Sequence, residues 1–126
     1  MNTTEIIGIL KKLDRGKNIQ FIVLFGSKSK KTDNVLSDID IAVYYLGTDK
    51  ERFSFRVKAS GHLSDLVDLH IFQDLPLPIQ KEVISGTVLY YRDYQFAFDE
   101  FMRVIKEFDF FKKYYDEYFT ALEAKV

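Results

Sequence analysis

At 126 residues and 47% hydrophobic content the chain has enough apolar material for one packed core and too little length for two, so residues 1–126 are expected to form one domain. A net charge of −1 argues against stable binding to a nucleic-acid backbone, and no stretch is long and apolar enough to span a bilayer. The absence of cysteine removes any disulfide framework or thiolate nucleophile, and the start at Met1 lacks a basic, apolar leader, which together fit a soluble protein of a reducing cytoplasm.

Asn2 with Glu5 three residues on has the form of a helix N-terminus, and Ile6, Leu10 and Leu13 then fall on one helical stripe that Arg15-Gly16 ends. Lys11, Lys12 and Arg15 read as the solvated side of that helix. Residues 20–25 predict a buried strand, 29–36 a short polar connection with helical potential, and 38–45 a second strand broken by Gly47-Thr48-Asp49. Thr48 or Asp49 can cap a helix over 50–59, which Ser60-Gly61 stops ahead of a third strand at 66–72. A helix over 76–85 with Gly86 as its stop, a short strand at 88–91 and a long helix over 94–122 complete the chain. Helices alternating with apolar strands predict an α/β domain with helices packed on the sheet.

The last helix carries more rings than one face needs. Phe101, Ile105, Phe108, Phe111, Tyr115, Tyr118 and Leu122 keep one stripe, while Phe96, Phe98, Phe110, Tyr114 and Phe119 decorate other faces. The 101–108 end is expected to be core. For 110–119 the surplus predicts an interface, covered by a partner protein or by a second copy of the chain.

The chemistry concentrates where the first strand ends. Gly26-Ser27 is followed by a ten-residue spacer, 28–37, and then by Asp38 and Asp40 at the start of the second strand. Strand periodicity puts i and i+2 on one face, so the two carboxylates point the same way and call for a cation, for which hard oxygen donors favour magnesium. Asp38 alone has an ordinary use in a turn, whereas Asp40, between Ile39 and Ile41 in an apolar strand, is costly without a partner. Gly26 lets the backbone turn with no side chain against an approaching phosphate, the Ser27 hydroxyl can donate to it, and Lys28, Lys30 and Lys31 add positive charge.

A third acid is available in Asp68, at the head of the apolar segment 69–72, and three carboxylates would hold two metals. Asp65 competes for that role but reads as loop. His70 shares a face with Asp68 and can be placed either against the site or, the more ordinary reading, as a satisfied core or surface histidine, and His62 beside Gly61 reads as loop; a zinc site would have to draw on these two and on acids. Ser27 is a poor covalent nucleophile because no His-Asp pair stands ready to activate it.

Gly-Ser, ten residues, Asp-x-Asp in an aliphatic strand and a third Asp on a later strand together resemble the nucleotidyltransferase superfamily that includes polymerase beta. Size and downstream pattern resemble its minimal nucleotidyltransferases over residues 19–91, including the Ser85-Gly86 helix end and Thr87-Val88-Leu89-Tyr90. The resemblance implies the polymerase beta-like fold, a small mixed sheet carrying helices and followed by a long C-terminal helix, with ATP as donor and Mg2+ as cofactor. It implies that Gly26 and Ser27 hold the triphosphate with Lys28 and Lys30 beside them, that Asp38 and Asp40 are metal ligands, and that Asp68 is the third acid, helping to activate the attacking hydroxyl. One departure is visible: members commonly carry Arg-x-Arg-Gly after the Ser, where this chain has Lys28-Ser29-Lys30-Lys31, keeping the charge but losing the planar grip on phosphate.

The resemblance further implies transfer of AMP from ATP to a tyrosine of a HEPN-type toxin, and hence an antitoxin. A chain this small cannot enclose a large acceptor, so the acceptor is expected to arrive on a partner. Two other readings stay open, an antitoxin that neutralises by binding alone and transfer to a small molecule such as an aminoglycoside.

Overall fold

The computed structural model describes residues 1–26 and 39–124. Helix α1, Thr3–Leu13, opens as expected: the Asn2 side chain accepts the Glu5 N–H at 2.8 Å. Its stripe buries Ile6 and Leu10 completely, each contributing about 1.5–3 kcal/mol. Asp14 ends the helix and turns the chain, its carboxylate accepting the backbone N–H groups of Asn18 (2.9 Å) and Ile19 (2.7 Å).

Strand β1, Ile19–Phe25, is followed among the described residues by β2, Ile39–Tyr45, and by α2, Asp49–Ser60. Thr48 caps α2 with a reciprocal pair of bonds, its hydroxyl to the Glu51 N–H and the Glu51 carboxylate to its own N–H. Strand β3, Val67–Ile71, runs straight into a 3-10 turn, Phe72–Asp74, which the sequence did not announce. Then come α3, Leu77–Ile84, β4, Thr87–Tyr91, and α4, Tyr94–Ala124.

The four strands form one mixed sheet in the order β3-β2-β1-β4. β1 pairs antiparallel with both β2 and β4, and β2 pairs parallel with β3 through the α2 crossover. Period two sorts the strand residues onto two faces. Ile22, Ile41, Val43, Leu69 and Ile71 pack under α1 and α2, and Phe21, Val23, Phe25, Ala42 and Phe72 pack under α3 and α4. Asp40, Asp68 and His70 belong to the second face, at the end of the sheet where β1 finishes and β2 and β3 begin.

Helix α4 divides in two. Ala97 and Val104 are buried, and Phe101 meets Phe21 edge-on at 5.3 Å. Arg103 donates to Glu100, Glu107 and the side chain of Gln80, whose own amide donates to the Phe72 carbonyl, so that buried glutamine is satisfied. From Asp109 to Ala124 every residue is exposed, so the helix stands off the sheet for about 24 Å at 1.5 Å per residue. The 101–108 end is thus the packed part, and Phe110, at 65% exposure, and Tyr114, at 60%, face solvent. Among the described residues no helix is long and apolar enough to cross a membrane.

Candidate active site

The pairing register builds the site. Asp40 lies opposite Phe25, the last residue of β1, and opposite Asp68 on the parallel neighbour β3. Two acids 28 positions apart in the chain are therefore side by side on one face. Two residues further along β3, His70 turns its ring to the same face and stacks at a tilt near Phe25, with centroids 5.6 Å apart. Its Nε2 is 3.1 Å from an Asp68 oxygen and 3.6 Å from an Asp40 oxygen. One donor atom from each of the three residues lies within 4.8 Å of the other two.

Gly26 is the fourth part. It turns the chain off β1 with φ +82°, and a Cβ on it would strike the Asp40 carboxylate. Only glycine gives both the left-handed backbone and the room for Asp40 to lie against it. Behind the site the backbone is pinned. Gly86 packs so closely on the Leu24 carbonyl that no side chain fits there, and the Arg56 Nε donates to the Leu69 carbonyl at 2.9 Å, between the two β3 residues that serve the site. The far end of the same face is apolar. Tyr44, two steps past Ala42 on β2, meets Phe21 and Phe96, and burial pushes its phenol above the usual range.

Two carboxylate charges less than 4.8 Å apart repel by about 3–4 kcal/mol at an effective dielectric of 20, less where water reaches them. The Asp68 side chain is 50% exposed and that of Asp40 27%, so the pair opens to solvent. Such a pair, with its oxygen donors, could hold a hard divalent cation.

Of the residues singled out in the sequence, Gly26, Asp40 and Asp68 come together. Ser27, Lys28, Lys30, Lys31 and Asp38 lie outside the described residues, as does the connection expected at 29–36. Asp65 is exposed in the turn before β3 and takes no part in the cluster, and His62 is exposed with Nδ1 against the Lys58 carbonyl at 2.9 Å. His70, which the sequence allowed at the site but read more readily as a satisfied histidine, belongs to the cluster. Its shared face with Asp68 was the available signal; what the sequence lacked was the pairing of β3 with β2 that brings Asp40 within reach.

This geometry agrees with comparisons to known proteins. A Methanocaldococcus jannaschii protein provisionally named a protein adenylyltransferase is 29% identical over 106 residues, 83% of either chain. A chain from the crystal structure of a toxin–antitoxin complex with AMP-PNP superposes with a TM-score of 0.76 at 24% identity, covering 97% of this chain and 98% of its own. A chain from a complex of a tri-AMPylated Shewanella oneidensis HEPN toxin with its MNT antitoxin gives 0.69 at 21% identity, over 94% and 93%. These likenesses establish the fold. The sequence profile of the polymerase beta nucleotidyltransferase family matches residues 5–95, which hold Gly26, Asp40, Asp68 and the whole four-stranded sheet, and the chain is a member of that family.

Proposed function

We propose that this chain moves AMP from ATP onto a hydroxyl of a partner protein, that the acceptor is a tyrosine of a HEPN-type toxin, and that the transfer silences the toxin. The observation that carries the reading is the facing pair Asp40 and Asp68 laid beside the glycine turn at Gly26. The name of the M. jannaschii relative and the AMPylated toxin of the S. oneidensis complex support the choice of acceptor.

In this reading Gly26 admits the triphosphate to the backbone, with Ser27, Lys28 and Lys30 donating to its oxygens. Asp40 and Asp68, joined by Asp38, would hold magnesium, which when bound neutralises charge on the triphosphate and the departing pyrophosphate. Asp68, the more exposed of the facing acids, takes the proton from the incoming hydroxyl. The freed oxygen attacks the α phosphorus in line. The bond to the bridging α–β oxygen breaks, and pyrophosphate leaves with the electron pair. The bare aromatic end of α4 offers the surface on which a partner can dock and present the acceptor.

The test is transfer of labelled AMP from ATP to the cognate toxin. Asp68→Ala should still bind nucleotide but transfer about a hundredfold to ten-thousandfold more slowly, while Asp65→Ala should stay near wild type. A wild-type chain that neutralises the toxin with no label incorporated would replace this reading by neutralisation through binding alone. Labelling of a small-molecule hydroxyl but not of the toxin would overturn the acceptor.

A further inference from the structure

His70 adds to the site a donor of a different kind. Two ligands bound at about 2.1 Å and at right angles to each other stand about 3.0 Å apart, and at a tetrahedral angle about 3.4 Å apart. The 3.1 Å from Nε2 to Asp68 falls in that range, the 3.6 Å to Asp40 lies just beyond it, and all three donor atoms lie within 4.8 Å of one another, so one cation can touch all three residues once the side chains close by roughly half an ångström. The ring is already fixed, held near Phe25 on a strand whose backbone is pinned by Arg56. Among first-row transition cations an imidazole nitrogen suits iron, nickel, copper and zinc most and manganese least, whereas magnesium takes oxygen.

We propose that His70 is a protein ligand to a divalent cation shared with Asp40 and Asp68, and that it gives this site a preference for first-row transition cations over magnesium. The inference rests on the reading of Asp40 and Asp68 as metal ligands. It goes further by adding a nitrogen donor and by assigning to that donor the choice among cations.

The experiment uses the full chain without a histidine tag, titrated with manganese chloride in the absence of nucleotide, with free manganese followed by electron paramagnetic resonance and magnesium added in competition. Pulsed resonance on the bound ion reports directly coordinated nitrogen, and with two histidines in the chain a His62→Asn control assigns it. The expected result is nitrogen coupling in the wild type and in His62→Asn, its loss in His70→Asn, and manganese affinity at least about tenfold lower in that variant with magnesium affinity changed less than about twofold. Bound manganese without nitrogen coupling in the wild type, or equal manganese affinity in His70→Asn, overturns the proposal and would leave His70 as an ion-pair partner of Asp68. If His70→Asn fails to fold, the wild-type spectrum decides by itself. Nitrogen coupling with no AMP transfer refutes the function and leaves this ligand standing; AMP transfer with no coupling does the reverse.

Discussion

Replacing Gly26 by alanine separates the stability of the site from its chemistry. At φ +82° an alanine costs about 1–2 kcal/mol in a left-handed backbone, which for a chain of this length is roughly 3–8 °C in Tm. The added methyl also falls on the Asp40 carboxylate, the far end of a side chain, which can rotate away more cheaply than backbone can move. The clash therefore adds little to the stability loss but turns one carboxylate out of the pair. With Asp40 displaced, the site loses one of its carboxylate donors beside Asp68, and affinity for a divalent cation should fall by about tenfold or more even though the protein remains folded. Differential scanning fluorimetry and a manganese titration on the same sample measure both effects. Gly8 serves as the opposite control. It lies in the exposed interior of α1 with nothing within 4 Å of where a methyl would stand, so Gly8→Ala should raise stability by about 0.5–1 kcal/mol and leave cation binding alone. A Gly26→Ala protein with wild-type Tm and wild-type manganese affinity would refute the contact between this turn and Asp40.

Gly86→Ala pushes its methyl into the Leu24 carbonyl, which is backbone and cannot yield; a loss of about 2–3 kcal/mol is expected, larger than that of Gly26→Ala, by chemical denaturation. Thr48→Ala removes the cap of α2 and should cost about 1 kcal/mol with no change in cation binding, measured by the same two assays. Phe110→Glu with Tyr114→Glu alters two exposed rings 4.8 Å apart and should leave Tm and cation binding unchanged while weakening capture of the cognate toxin at least about tenfold in a pull-down or by calorimetry. Phe101→Ala, on the packed half of the same helix, should instead cost about 2–3 kcal/mol of stability.

The elements of this protein were readable because their signals are local. Asn2 with Glu5 and Thr48 with Glu51 start helices through bonds spanning three residues, and the apolar runs at Ile19–Phe25 and Ile39–Tyr45 are long enough to mark strands by themselves. The alternation of helix and strand indicated an α/β arrangement, and the spacing from Gly26 to Asp40, with Asp68 beyond, named three of the residues that meet at the site. Period two also told which face each acid occupies.

It could not tell which strands are neighbours. The order β3-β2-β1-β4, and the register that sets Asp40 against Asp68, depend on how two faces of one sheet bury Ile41, Val43 and Leu69 on one side and Phe21, Phe25 and Phe72 on the other. That is a sum over contacts far apart in the chain, and no window of sequence contains it. For the same reason the choice between a site residue and an ordinary histidine for His70 was open until β3 lay beside β2, and Gly86 read as a helix stop until its backbone touched Leu24. The surplus of rings in α4 was plain from the sequence; that the helix leaves the sheet near Phe108 and carries Phe110 and Tyr114 into solvent was decided by the sheet being only wide enough to cover its first half.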